Sequence, residues 1–129
     1  QRPGALLQDE YYQMKVYDSL ERSLRSLKQN KILSLLGLAT RASSVVSGEF
    51  MTEKCVKSGA ARLVIVGNDA SDNTKKNFRN MCEYYRVPFY LYDTKEGLGH
   101  AMGKEMRASL AVTDDGFAKS LIGHLEEAK

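Results

Sequence analysis

Residues able to do chemistry are few in this chain, and their spacing excludes more than it offers. His100 and His124 are its only histidines, and neither belongs to an H-x-x-x-H or H-x-E pattern. A metal centre or an imidazole catalyst needs several donors converging on one point, so neither is expected. No serine lies in a nucleophile elbow. Cys55 and Cys82 stand apart, outside any C-x-x-C pair and each on the apolar side of an expected helix. They read as reduced core thiols rather than a disulfide or a metal site. The run Gly97-Leu98-Gly99-His100-Ala101-Met102-Gly103 carries two glycines of a dinucleotide fingerprint. Its third glycine falls one place late and too little chain remains for a doubly wound nucleotide fold, so the glycines are read as letting a helix pack tightly on a sheet. The expectation is a non-enzyme with no catalytic residue, no metal and no cofactor.

What remains is an anion seat. In residues 45–72, VVSGEFMTEKCVKSGAARLVIVGNDASD, Ser47 is expected to cap a helix with its hydroxyl, and Gly48 lets a backbone approach closely. Phe50, Met51, Cys55 and Val56 recur at roughly helical spacing, with Glu49, Glu53, Lys54 and Lys57 on the other positions and Gly59 as the stop. Helix-start N–H groups with Lys54 further along the same helix suit a phosphate. The same residues alone also describe an ordinary solvated helix start. Next, residues 62–66, Arg-Leu-Val-Ile-Val, lack polar alternation and read as a central strand covered on both faces.

These residues need a frame to hold them. A chain of 129 residues, 43% hydrophobic and 27% charged, suits one globular domain with a proper core. Nineteen basic against 16 acidic residues give +3, which permits an acidic partner without demanding one. No apolar run approaches a membrane span and no secretion signal opens the chain, so a cytoplasmic protein is expected.

Residues 1–8 lack periodicity and read as a frayed tail. Asp18 and Glu21 have capping-box spacing, opening a helix over 18–29 whose stripe is Leu20, Leu24 and Leu27, with Arg22, Arg25 and Lys28 opposite. Tyr11, Tyr12, Met14, Val16 and Tyr17 extend that helix or pack beside it. The leucines must be covered, either by an antiparallel return onto the domain through Gln29 and Asn30, which is favoured, or by a second copy; the expected state is a monomer or a weak dimer. A further helix carries Ile32, Leu33, Leu35, Leu36 and Leu38 and ends near 37–40, and a short strand covers 43–46.

Ser71, Asp72 and Asn73 then open a helix reaching Tyr85, with Phe78, Met81, Cys82 and Tyr85 inward. Phe89 to Tyr92 form a strand; Asp93 and Glu96 cap a glycine-rich helix over 95–103. Residues 109–112 make the last strand, and Thr113 or Asp114 caps a final helix with Phe117, Leu121, Ile122 and Leu125 inward. Regular alternation of helices and strands predicts an α/β fold, a three-layer α/β/α sandwich on a mixed sheet of about four strands. The expected division is an N-terminal extension over 1–30 and a domain over 31–129.

A set of fragments then falls into place in order and spacing: Leu36-Gly37-Leu38-Ala39-Thr40-Arg41-Ala42, Gly48-Glu49-Phe50-Met51-Thr52-Glu53-Lys54, residues 58–66, Asn68-Asp69-Ala70-Ser71, Val87-Pro88-Phe89, Leu98-Gly99-His100-Ala101-Met102-Gly103, and residues 111–118. Together they resemble the kink-turn RNA-binding ribosomal protein family, and within it the bacterial YlxQ-like branch, over about residues 31–125. The resemblance implies the same sandwich and adds a partner, a sharply bent RNA helix, within a ribosomal or ribosome-associated role.

That family reads RNA with G-x-N-E-x-x-K at a helix start. Gly48 and Lys54 match, whereas Phe50 and Met51 replace the Asn and Glu. Asn and Glu can hydrogen-bond to base edges; Phe and Met can only stack or pack. The family's second contact loop falls on Lys104, Glu105, Met106 and Arg107. The resemblance thus implies an RNA surface of Ser47, Gly48, Glu49, Phe50, Met51, Lys54, Lys104, Met106 and Arg107, with altered kink-turn selectivity. The alternative is a protein-contact module on the ribosome.

Overall fold

A computed structural model describes the backbone of residues 3–128 and the side chains of 13–27 and 30–128. Nine elements follow in order: α1 (Pro3–Arg41), β1 (Val45–Ser47), α2 (Glu49–Lys57), β2 (Leu63–Val66), α3 (Asp72–Tyr85), β3 (Phe89–Leu91), α4 (Lys95–Ala101), β4 (Ser109–Val112) and α5 (Asp115–Glu127). The sheet is mixed, in the order β1-β4-β2-β3. β4 runs antiparallel to both β1 and β2, while β2 and β3 are parallel.

β2 and β4 are central and buried at every residue, β2 as an unbroken apolar run and β4 apolar after Ser109. Alternate side chains feed two cores. Leu63, Ile65, Leu110 and Val112 meet Ile32 and Leu36 of α1, Leu98 and Met102 beside α4, and Leu121 and Leu125 of α5. On the opposite face Val64, Val66 and Ala111 meet Cys55 and Val56 of α2 and Phe78 and Cys82 of α3. The sheet is thereby sandwiched between α1, α4 and α5 on one side and α2 and α3 on the other, the expected three layers.

Both cysteines are buried and unpaired. Burial pushes the Cys82 thiol up to about 11 and raises Cys55 as well, the latter partly offset by Arg62. Tyr92, half-buried below β3, has a hydroxyl with no hydrogen-bond partner; burial first, and Asp93 second, push it up to about 12.

Several local expectations are corrected. The tail, the 18–29 helix and the helix beginning at Ile32 are one helix, α1, from Pro3 to Arg41. Gln1 and Arg2 lie outside the described residues, as do the side chains of Tyr11 and Tyr12. No Gly or Pro separates residues 18–36, so nothing breaks the helix where a return was expected, and Asp18 sits mid-helix rather than at a cap. Leu20, Leu24 and Leu27 therefore stay 56–57% exposed instead of folding back on the domain. Gly37 does not end the helix either: a Cβ there would lie 3.0 Å from the Ala101 carbonyl, so it marks where α1 approaches α4.

Thr94, not Asp93, caps α4 by accepting from the Gly97 N–H at 3.0 Å. Tyr85, expected inward, is exposed, because α3 turns its buried stripe through Phe78 and Cys82. Ser71 and Asp114 cap α3 and α5 as expected, accepting from Thr74 N–H at 3.1 Å and Phe117 N–H at 2.9 Å.

Candidate nucleic-acid interface

The start of α2 is fixed by the sheet beneath it. Ser47 is the last residue of β1 and does not cap the helix; Gly48 is the N-cap, with φ 91° and no side-chain hydrogen bond. That backbone conformation favours glycine, although a Cβ would meet nothing within 4 Å. The Gly48 N–H donates to the Ser109 carbonyl at 3.0 Å, extending the β1–β4 ladder, and its carbonyl accepts from the Thr52 N–H at 3.0 Å. Thr52 is buried and its Oγ1 accepts from the Ser109 hydroxyl at 3.5 Å, the polar seam under the helix.

The Ser47 hydroxyl has a different use from the one expected. It accepts from Arg107 Nε at 3.2 Å, across 60 positions of sequence. Arg107 Nη1 also donates to the Met106 carbonyl at 2.9 Å, and its backbone N–H to the Lys95 carbonyl at 3.0 Å. Its guanidinium therefore ties the loop after α4 to the start of α2. The loop is held at its other end by the Lys104 N–H, which donates to Gly99 at 2.8 Å. Gly99 permits this: a Cβ there would fall 1.6 Å from the Glu105 carbonyl. The expectation that these glycines let the helix pack tightly on the sheet is corrected: Gly99 meets the loop, Gly97 the Asp93 carboxylate, and a Cβ at Gly103, with φ 70°, would meet nothing within 4 Å.

Around this joint the remaining expected residues divide by exposure. Phe50, Met51 and Met106 are 74%, 45% and 56% exposed, so the apolar stripe expected of α2 begins only at Thr52 and continues through Cys55 and Val56. Glu49, Lys54, Lys104 and Glu105 are exposed as well. Among the described residues Lys54 makes no ion pair, whereas Lys57 bonds Glu53 at 2.8 Å, which raises the Lys57 pKa above its ordinary value. Phe50, Glu53, Lys54 and Lys57 line a groove of about 310 Å³. Sequence reasoning left Lys57 and Glu53 out of this surface, though their spacing from Phe50 puts all four on one helical face. The Ser47–Arg107 bond had no local signal. Among the described residues no group of three or more His, Cys, Asp or Glu could hold a metal.

The fold is an α/β/α domain in which one helix start and one pinned loop lie side by side. The chain belongs to the ribosomal protein L7Ae/L30e/S12e/Gadd45 family, whose model matches residues 30–122. The family is a non-enzymatic class.

The chain is 47% identical over 92 residues to a protein named RNA-binding protein YlxQ from Bacillus subtilis (strain 168), covering 71% of this chain and 92% of that one. It is 36% identical over 91 residues to a protein of the same name from Enterococcus faecium, covering 70% and 87%. A solved protein of unknown function from Bacillus halodurans C matches with TM-score 0.73 at 38% identity, over 74% of this chain and 97% of that one. The Giardia lamblia 15.5kD RNA binding protein matches with TM-score 0.66 over 81% and 90%; at 22% identity it shows the fold alone.

Proposed function

We propose that this protein binds structured RNA without catalysis, through the start of α2 and the loop over residues 104–107. The observation that carries the reading is the Arg107–Ser47 bond, which sets that loop beside the Gly48 start of α2, on a helix where Lys54 stands unpaired among the described residues. Relatives at 47% and 36% identity bear the name RNA-binding protein, which supports the same partner here.

Gly48 and Lys54 retain the backbone-contacting part of the kink-turn motif, and phosphate contacts set register without reading sequence. Phe50 and Met51 face solvent where the motif has hydrogen-bonding readers, so selectivity for a kinked helix is weaker than an Asn-Glu pair would give. The setting is the cytoplasm, on the ribosome or its RNA.

The outer part of α1 joins two copies weakly. Tyr17, Leu20, Leu24 and Leu27 follow the 3-4-3 spacing of a coiled-coil seam. An antiparallel pair sets Tyr17 against Leu27 and Leu20 against Leu24 of the second copy.

The RNA reading is tested by titrating the protein against a kink-turn RNA, an unkinked duplex of equal length and a single strand, each at two salt concentrations. Tighter binding of the kinked RNA is the expected result. Equal and steeply salt-dependent binding reduces the function to phosphate attraction. Binding to none of the three replaces it with a protein-contact role.

A further inference from the structure

We propose that the open edge of β3 docks an extended segment of a partner protein as a fifth strand, with an acidic side chain opposite Phe89. β3 ends the sheet beside β2, at the edge opposite β1 and the helix start that follows it. The Val64 N–H donates to the Pro88 carbonyl at 2.9 Å, and the Tyr92 N–H donates to the Val66 carbonyl at 3.0 Å. Residues 88, 90 and 92 therefore turn their main-chain groups to β2, and strand alternation turns those of Phe89 and Leu91 away from the sheet. The strand itself, Phe-Tyr-Leu, holds no charge that would oppose pairing along this edge.

The edge forms the floor of a groove of about 750 Å³. One wall is α3, whose Arg79 guanidinium stands 5.7 Å from the centroid of the Phe89 ring. The other wall is the end of α5, through Leu125 and Ala128. A second copy would bring its own α3 and α5 beside its β3, and those helices meet the walls; a bare strand carries none and enters. Side chains of the docked strand alternate between the two walls. The one opposite Tyr90 lies on the face that holds Leu125, which calls for an apolar residue. The one opposite Phe89 lies beside Arg79, which makes no ion pair among the described residues, and this calls for a carboxylate. Main-chain bonds to the edge supply affinity and the two walls supply selectivity.

The probe is the peptide Thr-Val-Val-Glu-Thr, acetylated and amidated, titrated into the isotope-labelled full chain and followed by amide NMR. Antiparallel pairing sets its Glu opposite Phe89 and its first Val opposite Leu91. Amide exchange at Phe89 and Leu91 is expected to slow about 10-fold at saturating peptide, with Tyr90, turned to β2, unchanged. Replacing the Glu of the peptide by Lys should weaken binding about 5-fold, and Arg79→Glu in the protein should reverse that preference. Arg79 is exposed, so the variant keeps the fold, which circular dichroism checks. No slowing at Phe89 and Leu91 overturns the docking edge. Equal binding of the Glu and Lys peptides overturns the acidic partner. Slow exchange at the same two amides without peptide, with a doubled mass that survives removal of residues 1–30, assigns the edge to a second copy and overturns the proposal.

Discussion

The two ends of α1 are one helix with opposite fates. Between Ile32 and Ala39 one stripe of its apolar side chains, Ile32, Leu36 and Ala39, is fully buried in the domain. Between Met14 and Leu27 side chains of the same kind stay 41–70% exposed. Helix propensity and apolar content do not separate the two parts; what differs is whether another surface lies opposite. The lesson is that an amphipathic pattern states a need for a partner and not where that partner is.

That contrast can be broken or sharpened by substitution. The largest effect is expected on the buried side: Leu36→Ala should cost about 2–5 kcal/mol in denaturant unfolding, whereas Leu24→Ala should change the monomer by under about 0.5 kcal/mol. Comparable losses would show that the outer part packs within its own chain.

Next comes removal of residues 1–30, which should convert a weak, concentration-dependent dimer seen by light scattering into a monomer while leaving RNA titrations unchanged. An unchanged mass would remove the coiled-coil seam. Lys54→Ala tests the other outward-facing surface and should lower the slope of log affinity against log salt by about one, with stability unaffected.

The smallest effect concerns Tyr92, on the interior side of the comparison. A group raised in the folded state contributes stability that is complete below its unfolded pKa and is lost as pH rises through the folded value. Tyr92 should therefore erode stability between about pH 10 and about 12. Tyr92→Phe should flatten that fall in thermal melts and leave neutral-pH stability equal or slightly higher, since it removes an unpartnered buried hydroxyl.

Much of the domain was readable from periodicity. The continuous run at Leu63–Val66 announced a central strand and Ser109–Val112 a last strand, though not that it too is central, and Ser71 and the Thr113–Asp114 pair announced helix starts, because these signals act within a few residues. The length of α1 was missed because capping-box spacing at Asp18 and Glu21 also occurs in helix interiors. Helical spacing put Phe50 and Met51 on one stripe with Cys55 and Val56, but spacing gives only a face, and the edge of that face at Thr52 is set by the sheet. The arrangement of the candidate interface depends on a bond between Ser47 and Arg107, and a contact spanning that much chain leaves no trace in local spacing.

The pinned loop after α4 has a consequence for how fast a partner is met. With its ends fixed to Gly99, Lys95 and Ser47, the surface exists before any ligand arrives, so little ordering entropy is spent at encounter. Association should then be a single kinetic phase whose observed rate climbs linearly with RNA concentration, with no plateau from a slow rearrangement.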